Sequence, residues 1–210
     1  MSDFANMPFR IERQKCTYLS ITVTKKHKNL FNENLTQLLN QVKVSLTEWT
    51  PLSMSLVGRI NSVKMNILPK FLYLFQALPI FIPNTFFNEL DSTFSSFIWQ
   101  GKRPRLNKLQ LQKPKQQGGF AFPNFRFYYW AANLRCLVFW YFYHNQGGCP
   151  DWVAMELRSG NNLSMLCSPL SLSSSNPILN PVVKHLLKIW GQFRKYFKTP
   201  RFFLLKPNCI

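Results

Sequence analysis

Apolar residues recur along this chain at three- and four-residue spacing far more often than they alternate. Leu35, Leu38, Leu39, Val42 and Leu46 fall on one face of a helix that ends near Trp49, ahead of Pro51, with Asn29 or Asn32 as its cap. A second helix opens at Ser53 or Ser55 and carries Leu56, Ile60, Val63 and Ile67 as its stripe. Arg59 and Lys64 flank that stripe. Pro69 breaks or kinks this helix, residues 71–77 continue it, and Pro79 and Pro83 force extended chain. Asn84 caps a third helix, in which Phe87, Leu90, Phe94, Phe97 and Ile98 form an aromatic stripe running to Trp99. Its acids Glu89 and Asp91 sit near the start, where negative charge is favoured.

Pro123 and Asn124 open a fourth helix, with Phe127, Tyr128, Ala131, Leu134, Val138 and Phe142 on its apolar face and Gly147-Gly148 and Pro150 at its end. A last helix runs from Pro181 to about Lys198. Val183, Leu186, Leu187, Trp190, Phe193 and Phe197 line one side, and Lys184, Lys188, Arg194, Lys195 and Lys198 make it basic. Residues 17–24, TYLSITVT, read as one β-strand with residues 9–12 as its candidate partner. The fold class expected is therefore mainly α: a helical bundle with a short N-terminal β-strand or hairpin, and a flexible C-terminal linker plus helix.

Composition divides the chain further. Residues 101–119 form a long connection holding Lys102, Arg103, Arg105, Lys108, Lys113 and Lys115, with no acid between Asp91 and Asp151. A connection of that length inside a domain is usually functional or disordered, and Gly118-Gly119 closes it as a turn. Residues 161–180 shift to Ser, Asn, Pro and Leu, the composition of a flexible linker. The expected organisation is an N-terminal strand segment at 1–28, a helical domain at 29–148, a linker at 149–181, and a basic amphipathic helix and tail at 182–210.

Charge then points to a partner. Lys and Arg number 26 against 8 Asp and Glu, a formal net charge of +18. A domain this basic repels itself until a polyanion neutralises it, and the backbone of RNA or DNA is the first candidate. Arg59, Lys64, Lys102, Arg103 and Arg105 are the candidate phosphate contacts, each adding to the salt dependence of binding. The most apolar stretch, 67–82, contains Pro69, Pro79 and Lys70 and is a poor membrane span, and the first residues lack the apolar core of a signal peptide. No membrane and no small-molecule substrate is expected as a partner; localisation is left open.

Several chemistries lack their residues. Two-metal polymerase or nuclease chemistry needs converging carboxylates, whereas the eight acids are scattered. Glu89 and Asp91, two apart on a helix, point in different directions. The five cysteines show no CxxC spacing and join no histidine in a zinc-finger pattern. No G-x-S-x-G elbow or Gly-rich phosphate loop occurs. No catalytic residue, metal site or cofactor is expected.

One set of spaced motifs narrows the reading. LVGRINSVKMNILPK at 56–70 resembles a stretch downstream of the polymerase palm in LINE-class (non-long-terminal-repeat) retrotransposon reverse transcriptases. The order continues in register. Phe75 to Pro83 is similar to the family's F-x-A-x-P-I-x-I-P segment. Phe86, Phe87 and Leu90, then Phe97-Ile98-Trp99, match F-F-x-x-L … F-I-W. Lys102, Arg103 and Arg105 match a K-R-x-R loop, and residues 118–131 match G-G-x-x-x-P-x-F-x-x-Y-Y-x-A. Upstream, Tyr18-Leu19-Ser20-Ile21 is similar to the family's Y-L-G-I strand at the palm edge, with Ser20 in place of Gly. Residues 180–194 resemble the linker that follows the thumb.

The resemblance implies the end of the palm, the helical thumb that grips template–primer duplex, and the start of a linker. The family's catalytic Y-x-D-D turn has no counterpart among these residues. The expectation is a truncated, non-catalytic remnant with sequence-independent affinity for template–primer RNA or DNA. The alternatives are a poorly folded, functionless pseudogene-like product, or part of an RNA-directed DNA polymerase whose catalytic domain is encoded upstream.

Overall fold

The computed structural model describes residues 14–146, 151 and 181–198. The expected partner segment 9–12, nearly all of the expected linker at 149–181, and the tail beyond Lys198 lie outside the described residues. The fold is mainly α with an N-terminal antiparallel hairpin. The chain divides into two compact units, Met1–Ser53 and Met54–Ile210. The division falls after the first long helix, and the last helix belongs to the second unit.

In the first unit the stretch 17–24 is not one strand. β1 (Lys15–Tyr18) and β2 (Ile21–Thr24) pair antiparallel, with Cys16 opposite Val23 and Tyr18 opposite Ile21. Leu19 and Ser20 make the two-residue turn with φ of 47° and 62°. Positive φ at both central positions is what a type I′ hairpin turn demands, and Asn-Gly normally fills it. Asn34, buried in the π-helical turn Phe31–Thr36, binds the strand from the side. Its Oδ1 accepts from the Thr22 N–H (2.8 Å) and its Nδ2 donates to the Thr22 carbonyl (2.9 Å) and to the Leu30 carbonyl (2.9 Å). That turn runs into α1 (Gln37–Trp49), whose predicted stripe Leu35, Leu38, Leu39, Val42 and Leu46 is buried. Neither Asn29 nor Asn32 caps it; Leu30 precedes the π-helical turn without a side-chain cap.

The second unit opens with α2 (Leu56–Ser62), capped by Ser55, whose Oγ accepts from the Gly58 N–H at 3.1 Å. A π-helical turn, Val63–Ile67, leads into α3 (Leu68–Ala77). Pro69 therefore neither stops nor ends the helix. Its missing N–H and bulky ring are accommodated by the wider turn just ahead of it. Residues 78–83 lie outside any helix or strand: Leu78 and Pro83 are extended, while the Ile80 N–H donates to the Leu78 carbonyl at 2.8 Å in a tight turn at Pro79, and α4 (Asn84–Trp99) follows with Phe86, Phe87, Leu90, Phe94, Phe97 and Ile98 buried.

The long connection is structured. α5 (Lys108–Gln112) is capped by the Asn107 side chain, which accepts from the Leu109 N–H at 3.1 Å. Leu111 is buried beneath it, and the Phe122 N–H returns to the Leu111 carbonyl at 2.8 Å. A 3-10 turn, Lys115–Gln117, ends at Gly118, whose φ is 74°. A Cβ on Gly119 would lie 2.1 Å from the Lys113 carbonyl oxygen, so only glycine fits there.

α6 (Phe125–Gln146) corrects the sequence reading most clearly. The buried side is Phe125, Tyr129, Trp130, Asn133 and Leu137, while the predicted Tyr128, Ala131 and Val138 are exposed and Phe127 and Leu134 are half-buried. The helix is aromatic on every side, so spacing alone does not choose a face. Its rings interlock with α3 and α4: Phe94 stacks on Phe125 with centroids 4.8 Å apart, and Phe75 meets Tyr129 at 5.4 Å. The Tyr129 hydroxyl donates to the Ile80 carbonyl (2.9 Å) and accepts from the Ile82 N–H (3.3 Å), holding the proline segment onto α6. Burial pushes this phenol well above the usual tyrosine range, against the opposing pull of the Ile82 hydrogen bond.

α7 (Pro181–Phe197) packs on α6 with Leu186, Leu187, Ile189 and Trp190 buried. Asn133 joins the two helices. Its Nδ2 donates to the Tyr129 carbonyl (2.8 Å) and the Phe75 carbonyl (3.4 Å), which leaves Oδ1 as the acceptor facing Nε2 of buried His185 at 3.1 Å. The proton of that contact therefore sits on His185 Nε2.

Candidate nucleic-acid interface

The end of α4 sets the site. Gln100 adopts the left-handed conformation (φ 55°), its N–H bonds back to Phe97, and the Gly101 N–H reaches the Ser96 carbonyl at 2.8 Å. This double closure is a Schellman end, and it throws the chain sharply away from the helix axis. Lys102, Arg103 and Arg105 follow at once and are exposed. With the start of α2 they border a groove of about 460 Å³, lined by Met54, Leu56, Arg59, Ile98, Trp99, Gln100, Lys102, Arg103, Arg105 and Leu106. No acid is among these lining residues.

Four of the five residues predicted to meet phosphate are therefore brought together, but Arg59 plays another part. It is 1 % exposed. Its Nε donates to the Met54 carbonyl (3.3 Å), its Nη1 to the Phe97 carbonyl (3.2 Å), and its guanidinium lies 5.2 Å from the Phe97 ring centroid. A cation on the last carbonyls of a helix complements the negative end of its dipole. Arg59 thus ties α2 to the C-terminal end of α4 and holds the groove's base, instead of lying along a phosphate backbone. Lys64 is half-buried on the π-helical turn and is not among the residues lining the groove.

The remaining loop cations differ in their surroundings. Lys108 pairs with Asp91 of α4, which neutralises it locally. Lys113 and Lys115 are exposed farther along the loop. In the first unit Lys15, Lys25 and Lys26 border an open hollow, though Glu33 shares it and pairs with Lys15 at 3.4 Å. Of the two, only the groove at 98–106 has no acid among its lining residues. Trp99 and Gln100 were absent from the sequence-based set. Their signal was position alone, at the junction of an aromatic stripe and a run of cations.

Among the described residues no group of three or more His, Cys, Asp and Glu comes together to hold a metal ion. Among the same residues no helix is long and apolar enough to cross a membrane. The described residues thus define a mainly helical, strongly basic chain with an acid-free cationic cleft. No protein-family model matches it.

Proposed function

We propose that this chain is a non-catalytic, sequence-independent binder of nucleic-acid backbone, corresponding to the thumb-like portion of a LINE-class retrotransposon reverse transcriptase. The observation that carries the reading is the acid-free groove in which Lys102, Arg103 and Arg105 stand exposed on a loop fixed at both ends. Phosphates of an RNA or DNA backbone supply the negative charge that the chain lacks, since its net charge is +18. Long cationic side chains on an exposed loop follow a backbone without reading base edges, so affinity is set by phosphate geometry rather than sequence. The ordered spacing of the motifs at 56–70, 75–83, 97–105 and 118–131 supports assigning this role to a duplex-gripping thumb. The chain's own residues hold a polynucleotide, and the polymerase chemistry of the family depends on converging carboxylates, which the described residues do not bring together.

The test is a salt titration of the purified chain on labelled RNA–DNA duplexes of two unrelated sequences. Three phosphate contacts at about 0.9 each predict an affinity loss of roughly 40-fold between about 50 and about 200 mM salt, equal for both sequences. Binding that ignores salt, or is missing at low salt, contradicts the proposal.

A further inference from the structure

The groove holds more than cations. Beside Lys102, Arg103 and Arg105 it presents Ile98, Leu106 and the half-buried indole of Trp99. A smaller cavity of about 140 Å³ shares those three apolar residues with it, so Trp99 forms a wall common to both spaces. That second cavity also borders Ser95, Asp91 and Lys108, which gives it hydrogen-bonding groups as well as apolar walls.

An intact duplex makes poor use of such a wall. It offers phosphates on its outside and keeps the faces of its bases stacked within. An unpaired base is different: its π-face is open, and its own phosphate lies one sugar away. An indole three residues from Lys102 and six from Arg105 suits that pairing of flat apolar face and anion.

We infer that the groove receives an unpaired nucleotide where single strand extends from a duplex, with the base against Trp99 and the adjoining phosphates on Lys102, Arg103 and Arg105. The inference rests on the backbone-binding reading above and adds a preferred substrate to it. It requires that base and phosphate contribute separately at one site.

The experiment compares three probes by fluorescence anisotropy on the intact chain: a blunt RNA–DNA duplex, the duplex with a short unpaired extension, and the duplex with an abasic extension of the same length. The two extensions carry equal charge and differ only in their bases. The expected result is about tenfold tighter binding of the base-bearing extension than of the abasic one. Trp99→Leu removes that preference, and Trp99→Phe keeps most of it. Equal affinity for the two extensions in the unaltered chain, with salt dependence intact, overturns this inference and leaves the backbone reading standing. A preference that survives in Trp99→Leu also overturns it, because the base then sits elsewhere. No salt-dependent binding to any probe overturns both.

Discussion

Arg59 shows how one side chain changes meaning between sequence and structure. Its charge suggested phosphate, yet it lies four residues before Val63 and so falls on the buried side of its helix beside Ile60. The spacing contained that signal, and the charge obscured it. Because two backbone carbonyls take its donors, Arg59→Met is expected to cost about 2–3 kcal/mol of stability, read by thermal or urea melting. Affinity for duplex should change only as far as the fold is lost. Ser20 is the opposite case, a residue whose exposed position conceals strain. An L side chain at φ 62° is disfavoured by about 1 kcal/mol relative to glycine, and Ser20→Gly should raise the unfolding free energy of the first unit by up to about that much, seen as a higher denaturation midpoint. A midpoint that falls would mean that the serine makes a compensating contact. Tyr129 gives a pH signature. Its folded pKa is raised, so its contribution is complete below the unfolded value of about 10 and declines as pH rises beyond it. Tyr129→Phe should lose about 2 kcal/mol at neutral pH through the stranded Ile80 and Ile82 backbone groups. The gap from the unaltered chain should narrow above about pH 10; a gap that widens there contradicts the assignment.

Elements were legible where one face differs from the other. α1 and α4 carry a single apolar stripe against polar residues, and the structure buries those stripes. α6 carries rings on all sides, so the buried face was settled by tertiary partners, including the polar Asn133 that meets His185. The hairpin was read as one strand because Leu-Ser carries none of the Asn-Gly signal that marks a type I′ turn. The basic connection concealed α5 because five residues are too few to show a period, leaving only Asn107 as a cap. Its closure was visible in Gly118-Gly119, and the geometry explains why both are needed. Gly119→Ala forces a methyl group into the Lys113 carbonyl, and the cost is expected to reach about 2 kcal/mol or more, released by opening the loop. Trypsin should then cut after Lys115 much faster than in the unaltered chain, since the Lys113–Pro114 bond resists it, while the buried helices stay protected. Unchanged cleavage would show that the loop shifts without opening.

For the molecule as a whole, net charge points to a polyanionic partner, and no other sequence feature says where such a partner would sit. The location depends on the Schellman end of α4, on Arg59 beneath it and on α2 alongside, and these become neighbours only in the folded chain. The exposure of Lys102, Arg103 and Arg105 was legible because they stand together in a polar run; the burial of Arg59 and half-burial of Lys64 were not, because burial is decided by packing. The most direct measurement is the slope of log affinity against log salt for an RNA–DNA duplex, in the unaltered chain and in the triple variant Lys102→Gln, Arg103→Gln, Arg105→Gln. All three side chains are exposed, so the melting curves should coincide, while the slope should become shallower by about 2.7. Matching melting curves with an unchanged slope would contradict the account, because the phosphates would then be held somewhere other than this groove.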